Sequence, residues 1–151
     1  MWCPGCGGSG LSVPKRTSLA LSTDVRPDSC PATTPGGLGG KQEGLHGNGL
    51  LSVFIGPDGS NVGQREPDGT VFDKLGWIPR TGLTGTLRVS GQRLDAPSAP
   101  VRVLAVNWGN SSPGGKGSWA SAVVFPAEGC WRLTGRVRDV ALTYVVRVVG
   151  A

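Results

Sequence analysis

Over its last two thirds this 151-residue chain breaks into short runs of β-branched and aromatic residues between turn signals, at 50–55, 61–65, 70–72, 84–94, 101–108, 119–125, 130–137 and 140–149. No segment of ten or more residues repeats its apolar positions every 3.6 residues, so helices cannot build the core. The runs also alternate. In Thr86-Leu87-Arg88-Val89-Ser90 the apolar side chains hold the odd positions and the polar ones the even positions, the period-2 signature of a strand buried on one face. Trp131, Leu133 and Val137 alternate in the same way with Arg132, Thr134 and Arg136. Beyond an Arg138-Asp139 turn, Leu142, Tyr144, Val146 and Val148 form the apolar phase, while Thr143 and Arg147 face outward, which predicts a C-terminal hairpin. Pro57-Asp58-Gly59 and Pro67-Asp68-Gly69 read as two successive hairpin corners, because Pro fixes φ and Gly admits positive φ. Strands this short and this closely spaced are typical of a sandwich.

Gly and Pro are unevenly spread, taking 16 of the first 49 residues and 22 of the remaining 102. Before Leu45 there is no apolar periodicity, and the runs 3–10 and 35–40 have linker composition. The chain therefore divides into a flexible, disordered N-terminal tail, 1–44, and one domain, 45–151. The domain is expected to be all-β, a β-sandwich of about 7 to 8 strands. An apolar content of 38% supports one modest core. No apolar run approaches the roughly 18 residues of a membrane-crossing helix, and channels, coiled coils and most large cofactor enzymes are excluded with it.

A formal charge of +5 and a pI near 9.4 favour polyanionic partners. Along the sequence, however, the excess is scattered. Lys15-Arg16 and the series Arg132, Arg136, Arg138 come closest to a cluster, and neither is interleaved with aromatics as a stacking platform would be, so no nucleic acid is expected as a partner.

Four cysteines allow three fully paired connectivities. Cys30 and Cys130 each border sequence that reads as ordered, whereas Cys3 and Cys6 share the Gly-rich tail, which makes Cys30 to Cys130 the natural structural pair. The alternative is a buried free thiol at Cys130 beside Trp131. Cys3-Pro4-Gly5-Cys6 offers two thiolates from one tight turn, half of a tetrahedral zinc site. The run 3–10 resembles one repeat of the zinc-binding region of the DnaJ chaperones, but Cys30, Cys130 and the single His46 supply no matching ligand pair. Alternatively, Cys6-Gly7-Gly8-Ser9-Gly10 reads as the lipidated start of a bacterial lipoprotein followed by its small-residue spacer. That reading requires a signal segment that the residues before Cys6 do not provide.

The segment 125–137, containing Pro126-Ala127-Glu128-Gly129-Cys130-Trp131, and the following 142–148 resemble an uncharacterised group of small bacterial secreted proteins and lipoproteins that end in a Pro-x-x-Gly-Cys-Trp corner and a hairpin. The run 85–95 and the Cys30-Pro31 step extend the resemblance over roughly residues 28 to 150. It implies an immunoglobulin-like fold and an extracytoplasmic location, and carries no activity with it.

For catalysis the chain offers one His, ten acids and none of the G-x-S-x-G, H-E-x-x-H or P-loop patterns. His46 reads as a solvated loop residue, and Asp24, Asp28, Asp58 and Asp68 as turn formers. The expected function is therefore non-catalytic and needs no cofactor or metal. Trp77, Trp108 and Trp119 lie in or near loops, so Trp77 and Trp108 are the candidate ligand contacts, to a glycan or a protein of the cell envelope, although Trp77 and Trp119 read foremost as core or edge plugs in a chain short of other aromatics. These readings converge on an extracytoplasmic binding or accessory module of a bacterial envelope, secreted or held to the membrane only by a lipid on Cys6. The contrasting reading is a cytosolic protein, zinc-linked or associated with nucleic acid through Cys3 and Cys6.

Overall fold

The computed structural model describes residues 29–38, 44–109 and 117–151, and within them the chain is all-β, without a helix. Its strands are β1 (Gly36–Leu38), β2 (Leu45–Asn48), β3 (Leu51–Phe54), β4 (Ser60–Arg65), β5 (Val71–Pro79), β6 (Leu87–Arg93), β7 (Arg102–Gly109), β8 (Ser118–Phe125), β9 (Gly129–Val137) and β10 (Val140–Gly150). The predicted runs match β3, β4 and β6 to β10 with ends shifted by at most three residues. The run 70–72 is only the first part of β5, which continues to Pro79.

One layer is built on the antiparallel strands β7, β8 and β5, with β3, β2 and β1 following beyond the C-terminal part of β5. The other is the antiparallel trio β6, β9 and β10. β4 belongs to both. Its residues 60–63 run parallel to 147–150 of β10, and then Gln64 and Arg65 pair antiparallel with Phe72 and Val71 of β5. A strand that changes sheets in this way makes the corner of a sandwich.

Period-2 alternation places the core. Val71, Leu75 and Trp77 of β5 and Val123 and Phe125 of β8 are fully buried, facing Trp131, Leu133, Val137 and Val146 of the second layer. Each such side chain contributes about 1.5–3 kcal/mol by leaving water. Phe125 and Trp131 meet edge to face at 5.4 Å between ring centroids, and the Trp131 Nε1–H donates to the Ala127 carbonyl, 3.1 Å away. The corner before Trp131 works as its sequence suggests: β8 stops at Phe125, and Gly129 has φ of +142°. L side chains rarely adopt that φ, so the backbone conformation itself calls for glycine here.

The two Pro-Asp-Gly turns share one device and serve different purposes. Asp58 Oδ1 accepts from the Ser60 N–H at 3.1 Å, and Asp68 Oδ1 from the Thr70 N–H at 3.0 Å. The second turn is a hairpin corner between β4 and β5. The first is not, since β3 and β4 do not pair with each other and instead lie in succession along one edge of β5. In each turn the side-chain hydroxyl and backbone N–H of Ser60 or Thr70 favour the ionised carboxylate and hold its pKa below 3.8. The stability they contribute is fully present above pH 3.8 and is lost as pH falls through the lower folded value. Thermal unfolding followed from about pH 6 to pH 2 should therefore show an acid-side loss that shrinks in the variant Asp58→Asn/Asp68→Asn; an equal loss in both proteins would refute this assignment.

The domain begins earlier than residue 45. Residues 29–38, given to the tail by composition, are hydrogen-bonded into the fold, with the Thr33 N–H on the Val145 carbonyl at 2.7 Å and the Val145 N–H on Thr33 Oγ1 at 2.9 Å. Asn48 Nδ2 donates to the Ala141 carbonyl at 2.9 Å. β4, Thr33 and Asn48 thus successively cover the edge of β10, which would otherwise present unpaired backbone groups. Residues 1–28, with Cys3, Cys6, Asp24 and Asp28, lie outside the described residues.

Candidate functional site

The tryptophans that read as loop residues form one cross-strand row. Trp77 of β5 pairs in register with Trp119 of β8, and Trp119 with Trp108 of β7. Exposure rises along the row, from 0% at Trp77 and 4% at Trp119 to 53% at Trp108. Trp77 is therefore a core plug and not a ligand contact, the foremost of the two readings its sequence offered. The segment 75–79 is strand and not loop, and its period-2 phase points Trp77 inward. There the ring meets Tyr144 edge to face at 5.9 Å and lies over Gly135, where a Cβ would come within 2.3 Å of the ring. Its Nε1–H donates to Ser121 Oγ at 3.0 Å, so its one polar group is satisfied.

Trp108 is the candidate that remains. It is the last residue but one of β7, a strand that among the described residues pairs with β8 alone. The ring stands edge to face on Trp119 at 4.8 Å and covers Gly117, where a Cβ would fall 2.1 Å from it. Glycine is thus required at 117 for the ring to lie down on the sheet end. Trp108 is the one exposed aromatic among the described residues, and Leu104 on the same strand is exposed as well. An amphipathic ring fixed from below and open above can stack on a sugar or on an apolar side chain of a protein.

A second concave region lies where β3 ends and β4 departs for the other layer. It is a shallow, solvent-open depression of about 340 Å³ lined by Phe54, Ile55, Asn61, Val62 and Asp73. Asp73 occupies the inward phase of β5 between the buried Val71 and Leu75. Burial raises its pKa, partly offset by the Lys74 N–H and by Asn61 Nδ2, which donates to Asp73 Oδ2 at 3.1 Å. Burial, and secondarily the charge of Asp73, pushes the Tyr144 hydroxyl far above its usual range, and that hydroxyl has no hydrogen-bond partner among the described residues. Sequence reasoning missed Asp73 because nothing local distinguishes it from a turn aspartate. His46, expected in a solvated loop, is in β2, and its Nδ1 is buried.

Cys30 and Cys130 are joined by a disulfide, with their Cα atoms 5.3 Å apart. The bridge commits two of the donors on which a zinc-linked reading would draw. Around Cys130, the Leu94 N–H donates to its carbonyl at 2.8 Å, and Arg93 Nε pairs with Asp95 Oδ1 at 2.7 Å. Among the described residues no group of three or more His, Cys, Asp or Glu side chains gathers at one point.

The chain matches no protein-family model, no curated protein and no solved structure.

Proposed function

We propose that the chain is a non-catalytic extracytoplasmic module of a bacterial envelope, an immunoglobulin-like domain that binds a glycan or protein partner through the Trp108 end of the sandwich. The Cys30–Cys130 disulfide carries this reading. Such bridges persist in oxidising compartments and are rare where thiols are kept reduced. The division of strands supports the immunoglobulin-like part, because β4, β5, β8 and β7 on one layer and β6, β9 and β10 on the other follow the A-B-E-D and C-F-G arrangement of constant-type domains. The Pro-x-x-Gly-Cys-Trp corner supports kinship with the bacterial secreted group it resembles. Attachment to a membrane, within this proposal, is through a lipid on Cys6.

The test is the intact mass of protein recovered from its native source, with alkylation before and after reduction. Blocked thiols mapping to Cys30 and Cys130 are expected, and a lipid-bearing Cys6 at the mature start would identify the anchor. Free thiols at both positions in freshly recovered protein would sink the envelope reading. A glycan array probed with the wild type and Trp108→Ala then tests the contact: binding is expected to require Trp108, and equal binding by the two would move the site elsewhere.

A further inference from the structure

The basic charge that is scattered along the sequence is gathered by the fold. Arg88 of β6 stands directly opposite Arg136 of β9, both on the outward phase of the second layer. Arg138, in the turn that follows β9, joins them, and with Thr86 the three line a cleft of about 290 Å³. Like charges directly opposite each other on a sheet are destabilising. None of the three guanidinium groups has an ion pair among the described residues, where the two salt bridges are Arg65–Glu128 and Arg93–Asp95. Asp139, next to Arg138 in the turn, neutralises none of them through an ion pair.

Arg138 also adopts φ of +56°, the one positive value outside glycine among the described residues. An Asn or Gly would take that conformation with less strain. Its stem is seated against Gly85, where a Cβ would lie 3.3 Å from Arg138 Cγ, which directs the side chain toward the start of β6. Repulsion across the sheet and backbone strain at the turn thus converge on one cleft, and an anion placed there relieves the first of them.

We propose that this cleft binds a tetrahedral oxyanion, the phosphate or sulfate group of a ligand. Arg88, Arg136 and Arg138 provide planar guanidinium forks that suit such groups, and the Thr86 hydroxyl is a further donor. The site is distinct from the Trp108 end and does not depend on the compartment in which the protein resides.

Pyrophosphate titrated at low ionic strength and followed by ¹H–¹⁵N NMR is the first probe, chosen because exposed charge pairs are weakened by salt. Saturable shifts are expected at residues 85–89 and 135–140, with about tenfold weaker binding in Arg136→Gln, the loss of roughly one charge-assisted contact. Without anion, Arg136→Gln should melt about 1–4 °C higher than the wild type, because the opposed charges are gone. Arg138→Gly, which relieves the turn, should also fold and should also bind more weakly. Sedimentation with phosphatidylcholine vesicles doped with phosphatidic acid separates the sources. Sedimentation lost in Arg136→Gln supports a lipid-borne phosphate, and pyrophosphate binding without sedimentation supports a soluble one. Wild-type affinity in both variants, or shifts spread over the remaining arginines, would overturn the proposal.

Discussion

Removing the Cys30–Cys130 bridge is expected to destabilise the domain by about 4–5 kcal/mol, because the bond closes a loop of 100 residues in the unfolded chain. Against a total stability on the order of 5–15 kcal/mol, that leaves the domain marginal. The bridge also holds residues 29–38 in place, where Thr33 supplies partners to both backbone groups of Val145. The reduced protein should therefore lose protection at Val145 and along the β10 edge before it unfolds as a whole. Denaturant unfolding of the oxidised wild type and of Cys30→Ala/Cys130→Ala, with amide exchange on the latter, measures both effects. A loss below about 1 kcal/mol would mean that the unfolded chain is already compact across this loop, contrary to the entropic account.

Trp77→Ala is expected to cost about 3–5 kcal/mol, the range for truncating a fully buried aromatic. Its ring fills the space that Gly135 leaves open on the facing layer and packs against Tyr144, so the cavity would lie at the centre of the sandwich. Ser121 Oγ would also lose the indole donor. Trp108→Ala, at the exposed end of the same row, should cost only about 1 kcal/mol, mostly its edge-to-face contact with Trp119. Urea unfolding of the two variants side by side provides the check, and equal losses would contradict the gradient of burial along the row.

The positions of most strands were legible because alternation and turn chemistry are local. Thr86 to Ser90 and Trp131 to Val137 each state their own buried face, and the Pro-Asp-Gly turns carry their own hydrogen-bond acceptor. β1 and β2 were not legible. Gly36–Leu38 and Leu45–Asn48 are too short and glycine-rich to show a period, and they become strands only because β3 offers an edge to β2, and β2 one to β1. The segment around Trp77 was placed near a loop for a related reason: the glycine before it and the proline two residues after it suggest one, while pairing with β8 and β3 keeps the segment extended. The disulfide was open among three pairings, and position along the chain favoured the one that formed.

By itself, then, the sequence determined that the chain is all-β, where most of its strands lie and which face of several is buried, since each of these follows from neighbours two to four residues apart. Apart from the β4–β5 and β9–β10 hairpins, which local turns announce, only the tertiary structure decided which strands meet, and with them every feature that bears on binding. Arg88 is 48 positions from Arg136 in the chain and directly opposite it in the sheet, and Trp77, Trp108 and Trp119 become a graded row only through the register of three strands. Charge and exposure at a surface are sums over residues brought together by pairing, and pairing between strands that no tight turn joins is a long-range property that no local pattern encodes.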